Sequence, residues 1–145
     1  MSEAIVVGTD GSETARRAVA EAVRLAGALD AHLHIVSAYE RPRSAARGVS
    51  AGGHALPALL DDGVVESKLA AAAAAAREVG VEVTTHAVRL EPAEAIVTVA
   101  GEVGASMIVV GNQGMHGAKR MLGSVPNSVS HRARCNVLIV ATDEA

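Results

Sequence analysis

The stretch that decides the fold runs from Ser106 to Pro126, SMIVVGNQGMHGAKRMLGSVP. Its apolar run, Met107 to Val110, is mostly β-branched and ends at Gly111, which predicts a buried strand that leads into a loop. Further glycines follow at Gly114 and Gly123. Because glycine has no Cβ, such a loop can adopt positive φ angles and bring backbone N–H groups close to a ligand.

The residues after this loop are predicted to form a helix that begins at Ser124. A helix N-terminus carries N–H groups without intrahelical partners and the positive end of the helix dipole. A strand, a glycine-rich loop and a helix N-terminus in this order are typical of phosphate sites, although glycines also serve tight αβ turns. The spacing fits neither G-x-x-x-x-G-K-[ST] nor G-x-G-x-x-G after the first strand, so it is neither a standard P-loop nor a standard dinucleotide fingerprint.

The composition favours one α/β domain over residues 1–145, since 145 residues is the usual size of a single domain. Half of the residues are hydrophobic, but Tyr39 is the only aromatic residue, so the core must consist of Val, Ile, Leu and Ala. Small and β-branched side chains suit a parallel sheet that is covered by helices.

Charge and composition also exclude several classes of partner. A net charge of −3 and the lack of aromatic stacking residues argue against nucleic-acid binding. The first apolar run is too short to span a bilayer and no basic segment precedes it, so we predict a cytoplasmic protein with no membrane partner. With Cys135 as the only cysteine, we expect neither an intramolecular disulfide nor a thiolate metal cluster.

Apolar periodicity predicts strands that alternate with helices along the whole chain. The predicted strands are Ala4–Val7, His32–Ala38, Val81–Val88, Met107–Val110 and Asn136–Ala141. The predicted helices are Glu13–Leu29 after an N-cap at Ser12, Leu56–Val79 with Gly63 as a possible start or break, Pro92 to Gly104, and Ser124 to near Arg134. This order predicts a doubly wound, five-stranded parallel sheet with helices on both faces.

Ligands of such sheets bind at the carboxyl ends of the strands, where the strand order reverses. Asp10 follows the first strand and Gly111 follows the fourth. If these two strands are neighbours, both residues line one crevice. The long connection from Tyr39 to His54 is predicted to be either functional or mobile.

Both ends of the chain resemble the universal stress protein family, and the resemblance covers the entire chain. The opening IVVGTDGSETARRAVAEAV is similar to the first strand and helix of that family, and VVGNQGMHGAKRMLGSVPNSVSHRARCNVLIV is similar to its signature loop, last helix and last strand. The ATP-binding branch has G, two residues, G, nine residues, then G and a hydroxyl residue. Gly111, Gly114, Gly123 and Ser124 match this pattern, except that eight residues separate the second and third glycines.

The resemblance implies a Rossmann-like sheet of order 3-2-1-4-5 and an ATP ligand whose Mg²⁺ or Mn²⁺ is held mainly by the phosphates. It implies nucleotide contacts at Gly8, Thr9 and Asp10 near the nucleoside, Ala38 against the adenine, Val110 and Gly111 beside the ribose and first phosphate, and Gly114, Gly123, Ser124 and Val125 at the phosphates. It further implies a homodimer through the edge strand, here Val137 to Ala141, and a role in stress signalling.

Three alternative functions remain open. The shortened loop suits one phosphate as well as three, and some members of the family bind cyclic AMP. Other branches act as stress-induced interaction or chaperone-like proteins without a nucleotide. A true enzyme on this scaffold is the third alternative, but no nucleophile or catalytic base is identified, so we assign no catalytic residue and expect any ATP hydrolysis to be slow.

Several single residues have two interpretations. Asp10 suits either a ligand hydroxyl or a turn cap, and Lys119 and Arg120 are either phosphate clamps or solvated loop charges. His32 and His34 share one face of a strand, where two imidazoles can bind a metal, but no third ligand is identifiable nearby in the sequence and a structural role is favoured.

Further candidates are weaker. His116 lies inside the glycine loop without a partner acid, so we do not assign it as a general base. Ser130 and His131 are helix neighbours that do not face each other, which argues against a nucleophilic pair. Cys135 is predicted to be a small buried hydrophobic residue.

Overall fold

The fold is an open parallel β-sheet with helices on both faces. The computed structural model describes residues 3–39, 56–112 and 122–142, with only the backbone described for residues 56–62. Within these residues the strands are β1 (Ala4–Gly8), β2 (His32–Ala38), β3 (Val83–Val88), β4 (Met107–Gly111) and β5 (Asn136–Val140). The helices are α1 (Glu13–Leu29), α2 (Leu56–Glu78), α3 (Pro92–Val103) and α4 (Ser124–Arg132).

The strand order is β3-β2-β1-β4-β5, and every pairing is parallel. The central strand β1 pairs with β2 on one side and with β4 on the other, so that Ile5 lies opposite both Leu33 and Met107. The predicted fold class and strand order are therefore confirmed. The strand order reverses between β1 and β4, which is where a doubly wound sheet forms its ligand crevice.

Two apolar layers hold the helices against the sheet. On one face Val7, Leu33 and Ile35 pack with buried residues of α1 and α2, such as Ala22 and Leu69. These alternate residues of β1 and β2 point to the same side because side chains in a strand repeat every two residues.

The opposite face carries the second apolar layer. Val6, Val36 and Ile108 pack there with residues of α3 and α4, including Ile96 and Val129. β1 and β4 are thus buried on both faces, which explains why their sequences, AIVVG and MIVVG, are continuously apolar rather than alternating.

The predicted start of α1 is confirmed. The Oγ of Ser12 accepts a hydrogen bond from the Ala15 N–H at 3.2 Å, which is the N-cap geometry expected for a serine before a helix. The N-terminal turn of α1 therefore starts directly after the residues that end β1, and it faces the reversal point of the sheet.

Three predicted boundaries are corrected. The third strand starts at Val83 rather than Val81, because the Val81 N–H donates to the Ala76 carbonyl at 3.1 Å and closes the end of α2 through Gly80 at φ +80°. Helix α2 runs through Gly63, which is exposed. The last helix ends at Arg132 because the next residue is extended.

Among the described helices, none is long and apolar enough to cross a bilayer.

Candidate functional site

A crevice opens at the carboxyl ends of β1, β2 and β4, beside the N-terminus of α4. It encloses about 640 Å³, part of it open to solvent. The lining residues are Gly8, Thr9, Asp10, Ala15, Val36, Ala38, Pro92, Ile96, Val110, Gly111, Val125 and Pro126.

The first wall of the crevice is the turn that follows β1. The Thr9 N–H donates to the Val36 carbonyl at 2.9 Å, and the Thr9 Oγ1 accepts from the Gly11 N–H at 3.1 Å. The Asp10 Oδ1 accepts from the Ser12 N–H at 2.9 Å. Asp10 therefore caps the turn and also lines the crevice, so both interpretations of this residue from the sequence agree with its position.

The floor of the crevice is apolar and depends on a glycine. A Cβ atom built on Gly8 would lie 2.5 Å from the Cδ1 of Ile96, so a side chain at this position would collide with α3. Ile96 is buried, and it lies in the crevice together with Val36 and Ala38 from β2. The absence of a side chain at Gly8 thus lets α3 approach β1 and form a flat apolar surface.

The second wall combines the end of β4 with the start of α4. Val110 and Gly111 close the strand, while Val125 and Pro126 lie across the crevice from the other wall. Gly123, not Ser124, is the N-cap residue, and Ser124 is the first residue of the helix. The predicted start of this helix at Ser124 is confirmed, and no side chain among the described residues caps it.

Pro126 limits the hydrogen-bond donors at this helix end. As the third helical residue it has no N–H group, and the Asn127 N–H already donates to the Gly123 carbonyl at 3.0 Å. The N–H groups of Ser124 and Val125 have no acceptor within the helix. Together with the exposed Ser124 hydroxyl, they form a small group of donors at the positive end of the helix dipole.

The structure brings most of the predicted site residues together. Gly8, Thr9, Asp10, Ala38, Val110, Gly111 and Val125 line the crevice. Gly123 and Ser124 adjoin it at the start of α4. Gly114, His116, Lys119, Arg120 and residues 40–54 lie outside the described residues.

Sequence reasoning missed five lining residues. Pro92 and Ile96 come from the start of α3, Ala15 from α1, Val36 from β2, and Pro126 from α4. The apolar periodicity of α3 predicts that Ile96 is buried, but it does not predict which strand end Ile96 covers. The proximity of Gly8 to Ile96 depends on how α3 packs, which only the folded chain reveals.

A histidine cluster lies elsewhere, on β2 and β3. The rings of His32 and His34 stack with centroids 4.5 Å apart, and the Nδ1 of His34 lies 3.0 Å from the Nε2 of His86. His86 is thus a neighbour that sequence spacing did not reveal. The nitrogens of His32 contact the Glu82 carboxylate at 3.1 Å and the Thr84 hydroxyl at 2.7 Å.

The cluster shows no arrangement for metal binding: among the described residues, no group of three or more His, Cys, Asp or Glu side chains is placed to hold an ion. Burial, followed by repulsion from His32 and His86, lowers the pKa of His34 to about 4. Burial also lowers the pKa of His86, against the opposing charge of Glu102. At neutral pH the structure therefore places His34 and His86 as neutral imidazoles that share a hydrogen bond.

Neither Cys135 nor Ser130 is placed as an activated nucleophile. Burial raises the pKa of the half-buried Cys135 thiol, which keeps it protonated, and the residue packs against the apolar layer of α3 and α4. The Ser130 Oγ donates to the Asn127 carbonyl at 2.8 Å within α4, as expected for a helix serine without a catalytic role.

The fold defines a doubly wound α/β protein with a crevice at the reversal of strand order, and comparisons with known proteins identify the family. The model of the Universal stress protein family matches residues 1–141. The chain is 39% identical over 140 residues to Universal stress protein Rv1636 of Mycobacterium tuberculosis (strain ATCC 25618 / H37Rv), which covers 95% of each protein. The chain therefore belongs to the universal stress protein family.

Two solved structures of the family contain nucleotides. A crystal structure of a universal stress protein in complex with cAMP is 33% identical to this chain, covers 98% of both chains and has a TM-score of 0.74. A universal stress protein from Archaeoglobus fulgidus in complex with dAMP is 26% identical, covers 94% of this chain and 96% of that chain, and has a TM-score of 0.71.

Proposed function

We propose that this protein is a single universal stress protein domain, residues 1–145, that binds an adenine nucleotide, with ATP as its main ligand. The observation that carries the proposal is the crevice itself. Seven residues assigned to the nucleotide from the sequence line one cavity, although they come from three strands and a helix. These residues meet at the reversal of strand order, which is where doubly wound sheets bind their ligands, and this position supports a binding role.

The chemistry of the two walls suits a nucleoside at one end and phosphate at the other. Asp10 supplies a carboxylate, which accepts hydrogen bonds from ribose hydroxyls and repels phosphate. The start of α4 supplies the N–H groups of Ser124 and Val125 at the positive end of a helix dipole. The apolar floor around Ile96 and Ala38 offers a surface for the adenine ring.

A divalent cation would bind at this site only together with a nucleotide, whose phosphates supply its ligands. Among the described lining residues Asp10 is the one carboxylate. Mg²⁺ and Mn²⁺ prefer oxygen ligands, and phosphates supply them. The ion would therefore be held mainly by the phosphates, where it would neutralise their charge. We assign no catalytic residue and expect ATP hydrolysis to be slow or absent.

Cyclic AMP is a second candidate ligand, and one observation favours it. The solved relative in complex with cAMP is 33% identical to this chain over nearly its whole length. The N–H groups of Ser124 and Val125, which have no acceptor within α4, could also bind a single phosphate. Direct competition between ATP and cyclic AMP decides which ligand binds more tightly.

We propose that the protein acts in the cytoplasm as a stress-response module that signals its nucleotide state through a homodimer. β5 is the last strand in the sheet order and pairs with β4 alone among the described strands. Its sequence, NVLIV, is apolar, and Ile139 is 36% exposed. Antiparallel pairing of this edge, residues 137–141, with the same edge of a second copy would cover an exposed strand that otherwise promotes aggregation.

The ligand is tested first by mass spectrometry of the protein purified without added nucleotide, followed by calorimetry with ATP and Mg²⁺, cyclic AMP and AMP. We expect one adenine nucleotide per chain, and tighter binding of ATP than of cyclic AMP. Ser124→Ala should weaken ATP binding, whereas Ser130→Ala, on the same helix, should not. If calorimetry detects no heat with ATP and Mg²⁺ at about 100 μM protein, the proposal of ATP binding is refuted at affinities near that level.

The dimer is tested by light scattering after size-exclusion chromatography. Wild-type protein should elute with the mass of two chains, and Ile139→Lys should elute as one because a charged side chain cannot be buried in the paired edge. Val79→Lys introduces the same charge at an exposed position after α2 and should leave the dimer intact. A wild-type monomer at micromolar concentration would contradict the edge-strand dimer.

A further inference from the structure

A buried polar pair holds the backbone where β4 ends. Asn112 directly follows Gly111 and is 4% exposed, and Thr142 follows β5 and is 2% exposed. The Asn112 Oδ1 accepts two hydrogen bonds from Thr142, one from its N–H at 2.9 Å and one from its Oγ1 at 2.6 Å. A single carboxamide oxygen thus fixes both the backbone and the side chain of Thr142.

The pair is anchored from both sides. The Asn112 N–H donates to the Val140 carbonyl at 3.0 Å, which extends the ladder between β4 and β5 past the last residue of β4. On the α1 side, the Arg17 Nη1 donates to the Thr142 carbonyl at 3.1 Å. Neither partner can shift without breaking buried hydrogen bonds, which is costly because no water replaces them.

Thr142 in turn contacts Gly111. A Cβ atom on Gly111 would lie 3.2 Å from the Cγ2 of Thr142, so the threonine methyl group lies directly against the glycine. Gly111 lines the crevice, whereas Asn112 and Thr142 do not. Among these three residues, Gly111 is therefore the one that can transmit an effect of the pair to a ligand in the crevice.

We infer that Asn112 is a positioning residue of the nucleotide site: by holding Thr142 against Gly111, it fixes the strand end that faces the ribose and the first phosphate. This inference rests on the proposed nucleotide binding in the crevice. A hydrophobic contact could hold β4 and β5 together equally well, but it has no preferred direction. The two hydrogen bonds to one oxygen set the direction in which the chain leaves β4.

A positioning role of Asn112 predicts that its removal changes the affinities for different ligands by different amounts. If Asn112 acts through Gly111, its removal should weaken the binding of ligands that carry a phosphate much more than that of adenosine, which presents only its ribose to this strand end. If Asn112 only stabilises the fold, its removal should change the affinities for ATP and adenosine to the same extent.

The experiment measures the affinities of full-length protein for ATP with Mg²⁺, AMP and adenosine by calorimetry, at a temperature where every variant is folded. For Asn112→Ala we expect about a tenfold loss of affinity for ATP and AMP, which is the change for one lost hydrogen bond to a charged group, and less than about a twofold change for adenosine. Thr142→Val removes only the hydroxyl donor and keeps the shape, so it covers the case in which Asn112→Ala does not fold.

The control is Ser106→Ala at the opposite end of β4, where the Ser106 Oγ donates to Glu3 at 3.1 Å. It removes a hydrogen bond near the same strand and should not change the affinity for any of the three ligands. Equal losses for ATP and adenosine, or no loss while the wild type binds ATP, overturn the positioning role and leave nucleotide binding intact. A wild type that binds none of the three ligands refutes the proposed function and this inference with it.

Discussion

Replacing His34 with glutamine should make the protein less sensitive to acid. In the folded chain the half-buried imidazole stacks on His32 and shares a hydrogen bond with His86, and its pKa falls to about 4. In the unfolded chain its pKa returns to about 6.5. Between these two values the unfolded chain binds a proton that the folded chain does not, so the contribution of His34 to stability is complete above pH 6.5 and is lost as the pH falls towards 4.

The size of the effect follows from the shift. Two and a half pH units at about 1.4 kcal/mol each give an upper limit of about 3 kcal/mol. His34 is partly open to water, which screens the repulsion, and Glu82 and Glu102 lie near the neighbouring imidazoles. We therefore expect about 1–2 kcal/mol of the free energy of unfolding to depend on this residue.

The assay is urea unfolding followed by circular dichroism at several pH values between 7.5 and 4.5. The carboxylates also titrate in this range, so the informative quantity is the difference between wild type and His34→Gln at each pH. That difference should change in favour of the variant as the pH falls. His131→Gln, which removes an exposed imidazole on α4, is the matched control and should follow the wild-type profile. Parallel pH profiles for wild type and His34→Gln would refute the reasoning.

Two further substitutions test the frame of the crevice. Gly8→Val places a Cβ atom 2.5 Å from the Cδ1 of Ile96, so it should lower the free energy of unfolding by about 1–3 kcal/mol and weaken ATP binding. The control Gly101→Ala has open space around it and should leave the free energy of unfolding unchanged or slightly raise it. Urea unfolding measures the stability of both variants, and calorimetry measures their affinity for ATP. Ser12→Ala removes the acceptor of the Ala15 N–H and should lower stability by about 1 kcal/mol, and an unchanged unfolding midpoint would contradict the capping role.

Regular structure was predictable because its signals are local. The apolar run Met107–Val110, the cap at Ser12 and the glycine at 104 each mark an element boundary within a few residues of sequence. The start of β3 was not predictable, because the Val81 N–H has two possible uses and closes α2 instead of joining the sheet. Residue propensity alone cannot decide whether this N–H group closes the helix or joins the sheet.

The site was predictable in its glycines and carboxylate but not in its supporting contacts. Asp10 and Gly111 follow strands, and the fold rule for doubly wound sheets brings strand ends together. The approach of His86 to His34 depends on the register between β2 and β3, and the bond between Asn112 and Thr142 joins residues thirty positions apart. Contacts of this kind are set by tertiary packing, for which one sequence carries no local signal.

The two ends of β2 should therefore respond to different changes in the cell. His34 lies near the amino end of the strand, and Ala38 lies at the crevice, about 13 Å further along if each residue advances about 3.3 Å. The imidazole of His34 is neutral at pH 7.5, because its pKa is about 4, so His34→Gln changes no charge on β2 at that pH. We expect His34→Gln to bind ATP as wild type does at pH 7.5, as measured by calorimetry. A change of more than about threefold in its dissociation constant would show that the cluster and the crevice are energetically coupled through β2.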